Sequence, residues 1–219
     1  MANYLIIGGH GKVGLLTAPR LAAEGHTVTS VVRDPGQTAE IEAAEATALV
    51  LDLENASQEE FAQAFAGQDA IIWSAGAGGG NPDRTFAVDR DAAIRTMDAA
   101  EQAGVKRYVM VSYQGASLNH GVPEDDSFFP YAESKGAADE HLRNSGLDWT
   151  ILGPGMLTLD EPTGTISVGA GGGDDANRDT SRGNVAEAIR VALATPNTIG
   201  KQIEFTDGEE PVAAAFAQL

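Results

Sequence analysis

Short apolar runs and amphipathic stretches alternate along the first 150 residues. Tyr4-Leu5-Ile6-Ile7 is a strand-like run that meets glycine, and Lys12 to Glu24 reads as a helix closed by Gly25. Thr27 to Val32 is β-branched, with Val28, Val31 and Val32 carrying the apolar weight. The pattern then repeats: a strand over Thr47 to Leu51, a helix from Ser57 to Phe65 with Ser57 as N-cap, and a fourth strand at Ala70 to Trp73. Asn81 and Pro82 open a long helix running to about Gln102, closed by Gly104. Arg107 to Val111 is a fifth strand, residues 115–129 a long loop, Pro130 to Asn144 a helix, and Trp149 to Leu152 a sixth strand. After Gly153 the regularity weakens, and residues 160–180 are rich in Gly, Asp and Thr, with Gly171 to Asp175 the most loop-like piece. A helix from Asn184 to Ala194, a strand from Gln202 to Phe205 and a terminal helix after Pro211 complete the reading.

Short apolar strands separated by helices imply right-handed βαβ units, and so a doubly wound parallel sheet with helices on both faces. The strands are continuous apolar runs, as a sheet buried on both sides requires. The 219 residues, 42% of them hydrophobic, can bury a full-sized core. No repeat or linker interrupts them, so residues 1–219 are expected to form one domain with a small C-terminal extension.

Charge and composition narrow the function. Lys plus Arg total 14 against 32 Asp plus Glu, a net charge of −18, which argues against nucleic acid as a partner. No apolar run approaches the ~20 residues of a membrane span, and Met1-Ala2-Asn3 leads straight into a strand without the basic start of a signal peptide. The expectation is a cytoplasmic protein with a small-molecule substrate and no membrane partner. The chain has 0 Cys, so thiolate chemistry is excluded. His10, His26, His120 and His141 lack metal-ligand spacing, so no metal is expected.

The first strand runs into Gly8-Gly9-His10-Gly11-Lys12-Val13-Gly14, with glycines spaced G-x-x-G-x-x-G. Gly8 permits a tight turn, Gly11 lets the backbone approach a pyrophosphate, and Gly14 lets the following helix pack closely. The helix N-terminus then presents N–H groups and partial positive charge to phosphates. His10, Lys12 and Val13 fall within the same cradle. At the first βα junction of a βαβ series, this pattern marks a dinucleotide site of Rossmann type.

The end of the second strand selects the cofactor. An acidic residue there would bind a ribose 2′-hydroxyl, whereas a basic one suits a 2′-phosphate. Arg33 is the first residue past the strand in Val31-Val32-Arg33-Asp34, which favours NADP(H) over NAD(H). A one-residue shift of the strand end would give that role to Asp34. Asp52, beside Leu53 after the third strand, either accepts a hydrogen bond from the adenine amino group or caps the next turn. Ala75 and Gly76 belong to a small-residue segment placed to lie along a cofactor ribose.

Tyr131-Ala132-Glu133-Ser134-Lys135 is a Y-x-x-x-K pair, with Ser112 upstream at the end of the fifth strand. Residues four apart share a helix face, so a Lys135 ammonium near Tyr131 is expected to lower the phenol from its usual value near 10. Tyr131 would then exchange a proton with a carbonyl or alcohol oxygen that Ser112 also hydrogen-bonds. Together with the glycine loop, these residues resemble the short-chain dehydrogenase/reductase superfamily, and more narrowly its atypical short members of NmrA-like and flavin-reductase-like type. Lys135 to Leu152, Thr180-Ser181-Arg182 and Ile199-Gly200-Lys201 carry the same resemblance over essentially the whole chain. It implies that Lys135 holds the nicotinamide ribose hydroxyls and places Ser112, Tyr131 and Pro154 among the cofactor contacts.

The chain departs from that family's pattern at two points. Asp83 to Glu101 contains no Asn to hold a relay water, and Gly153 stands where many relatives carry Arg before Pro154-Gly155. The reading is therefore an NADP(H)-dependent oxidoreductase acting on a small carbonyl, quinone or flavin-like acceptor. The alternatives are a non-catalytic NADP(H) sensor and, behind it, a sugar-nucleotide epimerase or dehydratase. The 115–129 loop, with His120, Phe128 and Phe129, is read either as a substrate lid or as a surface loop with aromatics packed inward.

Overall fold

The computed structural model describes residues 1–78, 80–169 and 178–219. The expected loop at Gly171 to Asp175 lies outside the described residues. The βα series runs β1 (Asn3–Ile7), α1 (Lys12–Ala23), β2 (Thr27–Val32), α2 (Thr38–Ala43), β3 (Thr47–Val50), α3 (Gln58–Phe65), β4 (Ala70–Trp73), α4 (Pro82–Thr85), α5 (Ala93–Ala103), β5 (Arg107–Val111), α6 (Phe129–Arg143) and β6 (Asp148–Pro154). Beyond it come β7 (Met156–Thr158), β8 (Thr165–Val168), β9 (Asp179–Ser181), α7 (Arg182–Ala194), β10 (Lys201–Asp207), β11 (Glu210–Pro211) and α8 (Val212–Ala217).

The main sheet has the order β3-β2-β1-β4-β5-β6-β10-β8-β11, with β1 to β6 and β10 parallel. β8 pairs antiparallel with β10, and β11 with β8. Alternate residues of each central strand feed opposite cores. Leu5, Ile7, Tyr108 and Met110 pack with Phe61, Phe65 and Met97, while Ile6 and Val109 pack with Leu21, Ile189 and Phe216. The first cluster lies under α3, α5 and α6, the second under α1, α7 and α8, so helices cover both faces as the continuous apolar strands require. The order reverses between β1 and β4, which leaves a crevice at their carboxyl ends where ligands bind in such sheets.

Local chemistry explains most boundaries. Ser57 accepts from the Glu60 N–H at 3.3 Å while Glu60 accepts from the Ser57 N–H at 2.8 Å, a reciprocal cap on α3. Gly104 ends α5 at a φ of 76°, in the left-handed region open to glycine. One expectation needs correction. The long helix after β4 is interrupted, because residues Phe86–Ala92 form a π-helical segment between α4 and α5. Its wider turn carries Asp89 inward to accept the Ala77 N–H at 2.9 Å. The short strands β7, β8, β9 and β11 were also absent from the sequence reading; at two to four residues each they are too brief to show a period. No helix among the described residues is long and apolar enough to cross a membrane.

Candidate functional site

The turn after β1 is built from close backbone contacts. Gly8 has a φ of 84°, and its carbonyl accepts the Gly11 N–H at 2.9 Å. A Cβ at Gly8 would stand 2.6 Å from the Ala75 backbone, and one at Gly14 would stand 2.7 and 2.8 Å from the Gly8 and Gly9 carbonyls. Gly14 thus lets α1 pack on the turn itself. Gly9 lies outside the expected spacing but is equally constrained, since a Cβ there would collide with Ser30. The helix starts at Lys12 with Gly11 as N-cap, no side-chain cap and no acidic residue in its first turn. An uncapped N-terminus above a floor without side chains fits the pyrophosphate of a dinucleotide.

A cleft of about 300 Å³ opens over this turn. Gly8, His10, Gly11, Arg33, Asp52, Leu53, Ala75 and Gly76 line it. Of the other expected cofactor contacts, Val13 and Gly14 are buried in α1, and Pro154 is buried at the end of β6, its carbonyl taking the Gln114 N–H. Lys12 faces a separate cavity with Leu159 and Arg182.

The strand end falls as expected at Val32, so Arg33 is the first residue beyond it. The Asp34 carboxylate turns back to accept the Gly36 N–H at 2.8 Å, while Arg33 lines the cleft with 61% of its side chain exposed. Arg33 lies 3.3 Å from Glu54, whose same oxygen takes Arg84 Nε at 2.8 Å. Glu54 and Arg84 also line the cleft and were not anticipated. Asp52 caps its turn, accepting from Asn55 Nδ2 at 2.8 Å and the Glu54 N–H at 3.0 Å, and the Asn55 bond leads in holding its carboxyl below the usual range. His10 Nε2 stands 3.1 Å from Glu40 at an angle that makes no hydrogen bond.

A second cleft of about 690 Å³ adjoins the first at Gly76. Residues 124–128 of the long loop line it, together with Asp89 and Tyr131. The Tyr131, Tyr113 and Phe128 rings pack with centroids 5.4 to 5.5 Å apart. His120 packs instead on Phe129 at 5.5 Å and lies 3.2 Å from Glu133, so the loop both walls the cleft and folds part of its aromatic content inward.

Behind Tyr131 lies a buried polar cluster. Lys135 is 1% exposed and donates to the Val111 carbonyl at 2.8 Å, with Met110 Sδ at 3.4 Å. Ser112 Oγ donates to Asp139 Oδ2 at 2.5 Å. Asp139 and Asp89 are fully buried, and one oxygen of each accepts no hydrogen bond. Burial pushes both carboxyls upward while Lys135 pulls them back. Burial lowers the Lys135 ammonium, opposed by Asp139 and Asp89.

These environments correct the expected activation of Tyr131. Its phenol is raised, by burial first and then by Asp89, Asp139 and Tyr113, while the Lys135 ammonium is turned to the Val111 carbonyl. The Ser112 proton is likewise committed to Asp139. Asp89 and Asp139, like Glu54 and Arg84, are site residues outside the expected set. Both aspartates stand on the buried stripes of their helices, Asp89 beside Val88 and Ala92 and Asp139 among Ala132, Ala138 and Leu142, where a carboxylate is a readable anomaly. No group of three or more His, Cys, Asp or Glu able to hold a metal ion occurs among the described residues.

Comparison with known proteins agrees with this geometry. The profile of a family described as NAD(P)H-binding matches residues 8–196. The chain is similar to the uncharacterized sugar epimerase YhfK of Bacillus subtilis, with 37% identity over 99% of this chain and 100% of that protein. It is also similar to the UPF0659 protein YMR090W of Saccharomyces cerevisiae, with 36% identity over 98% and 97% of the two chains. Among solved structures, a Bacillus halodurans protein provisionally described as an NAD-dependent epimerase/dehydratase superposes with a TM-score of 0.90 at 33% identity, covering 100% of both chains. The oxidoreductase YlbE of Lactococcus lactis superposes with a TM-score of 0.86 at 28% identity, covering 99% and 96%.

Proposed function

Since the chain belongs to the NAD(P)H-binding family, we propose that it is an NADP(H)-dependent oxidoreductase of the short-chain type acting on a small carbonyl, quinone or flavin-like acceptor. The observation that carries this reading is the junction of the two clefts at Gly76, with the glycine turn on one side and Tyr131 on the other. The nicotinamide cofactor, when bound, supplies or accepts the hydride. Tyr131, with its phenol raised, holds its proton at neutral pH and donates a hydrogen bond to the substrate oxygen as charge builds there. Lys135 positions β5 through the Val111 carbonyl, and Ser112, which lines neither cleft, anchors Asp139 behind Tyr131. The preference for NADP(H) is supported by Arg33 lining the first cleft while Asp34 is occupied by its own turn.

The test is a calorimetric titration with NADPH and NADH, followed by NADPH consumption against carbonyl, quinone and flavin panels. Selective NADPH binding with turnover supports the reading, and absence of nucleotide binding overturns it. The commitment of Ser112 to Asp139 favours a second reading, a redox sensor that binds the nucleotide without turnover. Binding without consumption, and a protein partner retained only with cofactor, would select it. A sugar-nucleotide epimerase stands behind both. Among the described residues after β6, β8, β10 and β11 extend the sheet and α7 and α8 cover it, rather than forming a separate substrate body.

A further inference from the structure

We infer that the second cleft takes an uncharged or positively charged carbonyl compound and excludes substrates bearing phosphate or carboxylate groups. The inference rests on the oxidoreductase reading for what the cleft is, and extends it to what the cleft selects.

The charged residues lining this cleft are Asp89, Glu124, Asp125 and Asp126; no Lys, Arg or His is among its described lining residues. Even with Asp89 protonated, three carboxylates ring the mouth. Charges that line one cleft repel an anion entering it, over a screening length of ~8 Å at physiological salt. The neighbouring cations are engaged elsewhere. Arg84 binds Glu54 and the Ala77 carbonyl, Arg90 chelates Asp91 and lies over the Phe86 ring, and Lys135 is buried on Val111. A phosphate is held most strongly by Arg or Lys, and neither is among the described lining residues.

Asp89 supplies an independent sign of the ligand. It is 1% exposed, its Oδ2 takes the Ala77 N–H, and its Oδ1 accepts nothing. That free oxygen lies 3.2 Å from the position a Cβ on Gly76 would occupy, at the junction of the two clefts. A buried acceptor with no donor is costly, and a ligand N–H, O–H or ammonium group would satisfy it. Phe128, 43% exposed, and Tyr131 add aromatic faces, which suit an apolar or cationic body and give an anion no stabilisation.

The test uses probes on one para-substituted ring: benzaldehyde with its bulkier neutral analogue 4-tert-butylbenzaldehyde, the anion 4-formylbenzoate and the cation 4-(trimethylammonio)benzaldehyde. Equilibrium binding to the NADP⁺-loaded protein is followed by saturation-transfer NMR, after calorimetry has established whether NADP⁺ binds. The cation should bind about tenfold or more tighter than the anion, with the neutral pair between them. The gap should narrow at high salt and in the Glu124→Gln/Asp125→Asn variant, which leaves Asp126 to hold the Phe128 N–H. Equal or tighter binding of 4-formylbenzoate overturns the inference, as does failure of all the probes to bind at millimolar concentration. Failure of NADP⁺ itself to bind overturns the cofactor reading instead, and the charge order is then read on the free protein.

Discussion

Lys135 is the buried cation of the cluster behind Tyr131, and its removal gives a quantitative test of that cluster. Lys135→Met keeps the length and apolar stem but deletes the ammonium between Asp89 and Asp139. Removing one member of a buried charge pair costs about 3–5 kcal/mol. The direct contacts of Nζ are the Val111 carbonyl and Met110 sulfur, and the two carboxylates feel it through space, so the lower end, about 3 kcal/mol, applies. At roughly 2–4 °C per kcal/mol for a chain of this size, the midpoint should fall by roughly 6–12 °C. The loss should also depend on pH. Burial already holds both carboxyls above their ordinary range, and without Lys135 they rise further. The folded variant then keeps protons that the unfolded chain has released, so its stability falls as pH rises above the ordinary carboxylate range and recovers on acidification toward it. Adding Asp139→Asn, which keeps an acceptor for Ser112, should restore about half the deficit. Calorimetric melts of the parent, Lys135→Met, Asp139→Asn and the double variant across pH check this. A Lys135→Met midpoint within about 2 °C of the parent, or a deficit that does not shrink in acid, would refute the electrostatic account.

Three further outcomes are expected. Arg33→Asp should shift the NADPH/NADH affinity ratio toward NADH by at least about tenfold, since a charge-assisted hydrogen bond is worth about 1.5–3 kcal/mol; paired calorimetric titrations decide it. Tyr131→Phe should lower turnover by about tenfold or more with the NADPH affinity unchanged. The parent's rate should show no Tyr131-dependent fall near the ordinary phenol value of about 10, because burial keeps that proton in place as pH climbs; the pH profile of the two proteins checks both. Gly8→Ala should lose at least about 2 kcal/mol, from the left-handed φ and the collision with the Ala75 backbone, and should abolish nucleotide binding. Thermal melts with and without NADPH measure both effects.

The sheet was largely legible because its strands are buried on both faces. β2, β4 and β5 fall where their apolar runs predict, and Ser57 and Gly104 act through local chemistry written in the sequence. The glycine spacing located the turn but omitted Gly9, whose constraint comes from Ser30 on β2 and so exists only once the strands pair. The Tyr131–Lys135 spacing correctly put both on α6. It could not show that Lys135 would turn to Val111, or that Asp89 and Asp139 would converge behind the phenol from two helices. That electrostatic balance is set by tertiary contacts among residues up to 50 positions apart (139 − 89). Arg33 was read from a strand boundary, but its contact with Glu54 across the β2 and β3 ends was not.

The outermost strand carries a consequence for how copies of the chain meet. β11 contains only Glu210 and Pro211. Proline has no N–H to offer, and the glutamate places a charge where an approaching strand would dock. Templated growth of the sheet from one molecule into the next is therefore disfavoured along this strand. At the opposite border, β3 offers just four residues, too short a ladder to hold a second molecule against the mutual repulsion of chains carrying −18 each. In a crowded solution β11 and β3 are thus poor templates for fibrillar assembly.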